Sequence, residues 1–82
     1  MTDTDLFERF RTLTADLLDV AAEQVVTDAR FAEELGVDSL DLVELVEALE
    51  AAFGISIDDE ELAEVTTVGE AFALLEGKVS SS

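Results

Sequence analysis

An all-α fold is what the 82-residue sequence predicts: a small four-helix bundle of three longer helices and one short helix, with a long loop between helices 1 and 2. Three observations carry it. Apolar residues recur at spacings of three and four in separate segments, cap and stop residues bracket those segments, and neither repeats nor a Gly/Ser-rich interior linker divides the chain. A chain of this length has room for one modest core. Residues 1–82 are therefore expected to form one domain, with about 79–82 a frayed C-terminal tail.

In "DTDLFERFRTLTADLLDV" the residues Leu6, Phe10, Leu13 and Leu17 fall four, three and four apart, and Phe7 and Leu18 widen the stripe. This is a first amphipathic helix. Thr2 or Thr4 can cap it, and Asp3, Asp5 and Glu8 place negative charge where the helix dipole favours it. The helical period weakens from Val20 to Asp38, where Val25 and Val26 are β-branched, a short helical turn fits Arg30 to Glu34, and Gly36 follows. That stretch reads as a long loop anchored by Val25, Phe31 and Leu35.

A second helix begins at Asp38 or Ser39, with Leu42, Leu45, Val46, Leu49 and Phe53 on one arc facing the core. Leu40, Val43 and Glu47 lie beside that arc, flanked by Glu44 and Glu50, so two apolar side chains emerge among carboxylates. Gly54 supplies the left-handed stop. Ile55 to Ile57 reads as a short extended piece before a short helix starting near Asp58, and Ile55, Ile57, Leu62 and Val65 are further core candidates. Thr67 and Glu70 match a capping box ahead of Val68, Phe72 and Leu75, and Gly77 is the expected end of the last helix.

Composition narrows the function. Hydrophobic residues make up 49% of the chain, too much for a disordered acidic tail, yet 21 Asp and Glu against 4 Lys and Arg give a formal charge of −17. Such a charge repels nucleic-acid phosphates and anionic membranes and attracts proteins with basic patches. The sequence has no Cys, His, Trp, Tyr or Pro, which excludes disulfides, thiolate nucleophiles, Cys/His zinc sites and His-based catalysis. The N-terminal "MTDTDLFERF" has no targeting pattern and no apolar stretch reaches membrane-spanning length, so a cytoplasmic protein is expected. "DDEE" suggests calcium, but no loop has the alternating acidic ligands around a Gly that an EF-hand needs. A hydrolase built on a carboxylate pair lacks a cleft-forming architecture in so short a chain.

Ser39 stands where loop becomes helix. It, or Asp38, can cap the helix by accepting bonds from otherwise unpaired amides. An exposed hydroxyl at a helix N-terminus is also a good place for a phosphate ester, which the free amides and dipole stabilise, though by itself this only permits that reading. The wider context separates these readings: "LGVDSLDLVELVEALEAAFGISI" resembles the acyl carrier protein family, whose attachment site is an Asp-Ser-Leu at the start of the second helix. The resemblance continues through "DDEELAEVTTVGEAFALL", while the first helix matches mainly in pattern.

That resemblance implies a non-catalytic carrier in which Ser39 bears 4′-phosphopantetheine, transferred from coenzyme A by a separate phosphopantetheinyl transferase. The arm's thiol would carry acyl groups as thioesters, no metal would be bound, and the chain would act as a monomer. Leu40 and Val43 would enter shallow apolar sites on acyltransferases, ketosynthases and other acyl-processing enzymes, while Asp41, Glu44, Glu47 and Glu50 meet their Lys or Arg. Asp38 would help the modifying enzyme dock and orient its metal. Taken singly, each acid reads as a solvated helix face, and only the patch as a whole supports docking. The alternative is an acidic helical interaction module in which Ser39 is only a cap. Within the family the site context is closer to fatty-acid carriers than to peptidyl carriers, with discrete polyketide carriers nearby. Three positions depart from the fatty-acid pattern: Glu47 replaces a large apolar residue, Leu42 a small or polar one, and Asp58 a frequent Pro.

Overall fold

In the computed structural model, which describes residues 3–81, helix α1 spans Asp3–Leu18, α2 Ser39–Phe53, α3 Asp59–Ala63 and α4 Val68–Ser81. A single 3-10 turn at Ala22–Gln24 lies in the long loop before α2. The described residues contain no strand, only an isolated antiparallel bridge between Arg30 and Thr67. The predicted all-α bundle with its long first connection is therefore the fold, and Ile55 to Ile57 is a turn exit that pairs with nothing as a strand.

The start of α1 differs from expectation in one respect. A cap at Thr2 lies outside the described residues, and Thr4 is already inside the helix. Leu6 and Phe10 are buried as predicted, but Leu17 is 39% exposed, whereas Thr14 and Ala15 are buried. The cause is the way the helix ends. Asp19 adopts a left-handed backbone (φ 57°), tolerable for Asp, and the Val20 N–H reaches back to the Ala15 carbonyl at 3.1 Å. The reversal folds the loop over Ala15 and leaves Leu17 outside. Earlier in α1, Phe7 meets Phe72 of α4 edge-on with ring centroids 5.0 Å apart, and Phe10 lies 5.6 Å from the same ring. Such aromatic packing adds directional preference to apolar burial.

Val25 and Phe31 are buried, and Leu35 is half-buried against the core, as the loop's expected anchors; Ala29 and Val37 join them. Main-chain bonds clasp this loop to the α3–α4 corner. Phe31 N–H donates to Thr66 O at 3.1 Å, Val68 N–H to Ala29 O at 2.9 Å, and Gly69 N–H to Thr27 O at 3.0 Å. The last contact requires glycine, because a Cβ on Gly69 would stand 2.9 Å from Thr27 O. The Arg30 to Glu34 segment forms turns rather than the short helix its composition allows. Its amides are divided between these long-range partners and local ones.

Leu45 and Leu49 are the buried centre of α2, with Leu42, Val46 and Phe53 half-buried on the same arc. Gly54 closes the helix in the left-handed conformation (φ 67°, ψ 39°), as predicted. The Glu50 side chain turns back to accept the Ile57 N–H at 2.8 Å, fixing the exit into α3. Ile55 and Val65 pack against the core, while Ile57 and Leu62 are half-buried.

The expected stop at Gly77 is corrected: α4 continues to Ser81, through most of the tail expected from about residue 79, and Ser82 lies outside the described residues. Gly77 does not take the left-handed turn. Lys78 beyond it donates to Glu61 Oε1 at 2.9 Å, and Val79 packs on the core, so the last turns have tertiary support. Glu61 also accepts the Asp58 N–H at 3.1 Å, and the two bonds, Lys78 first, hold its carboxyl below the usual range. Among the described residues no helix is long and apolar enough to cross a membrane.

Candidate functional site

The site is built where the loop delivers the chain to α2. Gly36 makes a left-handed turn (φ 66°), and the Val37 N–H donates to Phe31 O at 2.8 Å while the Val37 side chain is buried. Val37 thereby fixes the next two residues. Asp38 is extended (φ −95°, ψ −177°) and its Oδ1 accepts the Asp41 N–H at 2.9 Å, while its own N–H donates to Asp41 Oδ2 at 3.4 Å. The first helical bond runs from Leu42 N–H to Asp38 O at 3.1 Å.

Of the two candidate caps, Asp38 and not Ser39 caps α2. An extended backbone half outside the helix is what a cap requires. Ser39 is already the first helical residue, it is exposed, and its hydroxyl makes no hydrogen bond within the described residues. The structure therefore removes the main support for an interaction module in which Ser39 serves only as a cap.

Beside Ser39 opens a groove of about 590 Å³. Ser39 and Leu42 form its α2 side, and Arg30, Phe31, Val65 and Glu70 are on the side made by the clasped loop and the α3–α4 corner. Glu70 is fixed there by the predicted box: Thr67 N–H donates to its Oε1 at 3.0 Å and Glu70 N–H donates to Thr67 Oγ1 at 3.1 Å. Thr66 adds its hydroxyl at 2.6 Å and its amide at 2.9 Å. These donors, the Thr66 hydroxyl foremost, hold the Glu70 carboxyl down at about 2.

The predicted contact residues of α2 separate into two groups. Leu40 (65% exposed) and Val43 (42%) stand on open surface with Glu44 and Glu47. Asp38 and Asp41 are engaged with each other's amides, and Glu50 with Ile57, so these three carboxylates already have local work. Two of the three departures from the fatty-acid pattern also find places. Leu42 is half-buried in the groove, and the Asp58 amide is bonded by Glu61. Sequence reasoning missed Arg30 and Thr66 as site residues. The adjacent Thr-Thr and Glu70 were a readable signal for the second, whereas Arg30 reaches the groove only through the loop clasp.

An exposed hydroxyl, relieved of capping and set at the mouth of an open groove, fits a covalently tethered flexible group. The comparisons agree. Residues 3–75 match the family described as "Phosphopantetheine attachment site". The chain is 42% identical to an acyl carrier protein of Petrotoga mobilis over 80 residues, 98% of this chain and 94% of that one. It is also 42% identical to an acyl carrier protein of Thermosynechococcus vestitus over 81 residues, 99% of this chain and all of that one. The helical bundle and these full-length likenesses agree, and the chain belongs to the acyl carrier protein family, non-catalytic carriers with a covalently attached phosphopantetheine group.

Proposed function

We propose that this chain, as a single carrier domain over residues 1–82, holds its 4′-phosphopantetheine on Ser39 and presents acyl thioesters to fatty-acid or polyketide biosynthetic enzymes. The observation that carries the assignment of the site is the exposed Ser39 hydroxyl, left unengaged because Asp38 caps α2. The arm supplies the thiol that a chain without Cys lacks.

The chain's own residues hold and present that arm. The α2 N-terminus favours the negative charge of an ester at Ser39 through its dipole and free amides. Asp38 keeps the backbone at Ser39 in one conformation. Leu40 and Val43 offer apolar contact, and Asp38, Asp41, Glu44, Glu47 and Glu50 surround them with carboxylates suited to basic docking patches on the phosphopantetheinyl transferase, acyltransferases and ketosynthases. Exposed charge pairs of this kind give fast, salt-sensitive exchange rather than tight binding.

Intact mass tests the assignment. Incubation of initially unmodified, folded protein with coenzyme A, magnesium and a broad-specificity phosphopantetheinyl transferase should add one phosphopantetheinyl group to the parent and none to Ser39→Ala. An unchanged parent mass, or an equal gain in Ser39→Ala, sinks it. Glu47 puts a charge where an apolar contact is common and favours a dedicated pathway over general fatty-acid synthesis. Efficient loading and elongation by general fatty-acid enzymes would reject that preference.

A further inference from the structure

Of the chain's four Lys and Arg residues, Arg30 is, among the described residues, the only one that lines the groove beside Ser39. The other three are committed to the bundle. Arg9 lies 4.7 Å over the Phe53 ring, Arg11 bonds Glu8 and the Val25 carbonyl, and Lys78 braces Glu61. Arg30 instead holds Glu33 at 3.4 Å, with the two side chains 60% and 67% exposed. A pair that open contributes little, so exchanging it for a better partner costs little.

Its backbone, by contrast, is fixed. The Arg30 N–H donates to Glu34 Oε1 at 3.2 Å, the residue bridges Thr67, and the next amide is held by Thr66 O. A guanidinium with a loosely held head therefore hangs from a rigid point on the groove wall. The groove charges explain what it would serve. Glu33, Asp38 and Glu70 line the groove together with this one guanidinium. Asp38 and Glu70 are tied down by hydrogen bonds to amides and hydroxyls. An anion added at Ser39 enters a groove whose charged lining is three carboxylates and the Arg30 guanidinium, in a molecule already at −17.

We propose that Arg30 is the positioning residue for the phosphodiester at Ser39, its guanidinium exchanging Glu33 for the phosphodiester oxygens and holding the root of the arm against the groove. The planar fork of Arg suits a phosphate better than the contact it makes with Glu33, in which one guanidinium nitrogen alone reaches both carboxylate oxygens, at 3.5 and 3.4 Å. This inference rests on Ser39 being the attachment site.

The test compares the chain before and after loading, with loading followed by intact mass and the arginine side chains followed by NMR on isotope-labelled protein. The Arg30 Nε–H resonance should move on loading while those of Arg9 and Arg11 stay. The phosphorus resonance of the loaded parent should differ from that of loaded Arg30→Gln, with Arg30→Lys between them, and the difference should shrink as salt is raised. Loading at Ser39 with an unmoved Arg30 resonance and the same phosphorus signal in Arg30→Gln overturns the role of Arg30 and leaves the carrier reading standing. No loading of the parent at Ser39 overturns both. If Arg30→Gln fails to fold, the shift of Arg30 Nε–H in the unsubstituted chain decides alone.

Discussion

Asp38 and Asp41 bond each other's amides, Oδ1 of Asp38 accepting at 2.9 Å and Oδ2 of Asp41 at 3.4 Å, and this exchange starts α2. Removing a cap of this kind costs about 1 kcal/mol. Asp38→Ala should therefore lower stability by about that much, whereas Ser39→Ala should change it by only a few tenths. Denaturant melts of the two variants check this. Equal losses would return the capping duty to Ser39.

Glu70 gives the chain an acid-sensitive contact. Its carboxyl is lowered from 4.5 to about 2, so its contribution is complete above the ordinary carboxylate range and is lost as pH falls through the depressed value. The melting-temperature gap between parent and Glu70→Ala should be constant near neutrality and narrow between about pH 4.5 and about pH 2. A gap that stays the same down to the lower limit would contradict the assignment. The comparison must be between variants, since protonating the other carboxylates also relieves repulsion over this range.

Thr14 is fully buried, and its hydroxyl has no hydrogen-bond partner among the described residues. An unsatisfied buried hydroxyl costs about 1 kcal/mol or more, and Val fills the same shape without it. Thr14→Val is expected to stabilise the chain by about 1 kcal/mol. A destabilised variant would mean that the hydroxyl finds a partner in solution.

The formal charge of −17 predicts that salt or divalent cations raise the melting temperature by screening. Thermal melts between low and moderate salt measure it. No change would place the repulsion in the unfolded chain as much as in the folded one.

Much of the fold could be read directly because the signals were local. Apolar spacing located α1 and α2, Gly54 stopped α2, and Thr67 with Glu70 opened α4. Misreadings arose where a distant contact overrode a local preference. Gly77 marks a stop by itself, but Lys78 finds Glu61 and Val79 finds the core. Leu17 fits the apolar stripe, yet the left-handed turn at Asp19 carries the chain across Ala15 instead. At the site, Ser39 and the open face of α2 were legible from a short motif. The groove was not, because its far wall comes from a loop and a corner that no sequence spacing brings together.

The clasp between residues 27–31 and 66–69 also sets an order of events. Helical bundles fold quickly because most of their contacts are between near neighbours in sequence, but these bonds close a loop of nearly half the chain. While the protein is being synthesised, α1 and α2 can form before residues 66–69 have emerged, and Ser39 is then present without the far wall of its groove. A nascent chain ending before Val68 would display the serine but not the finished surface around it.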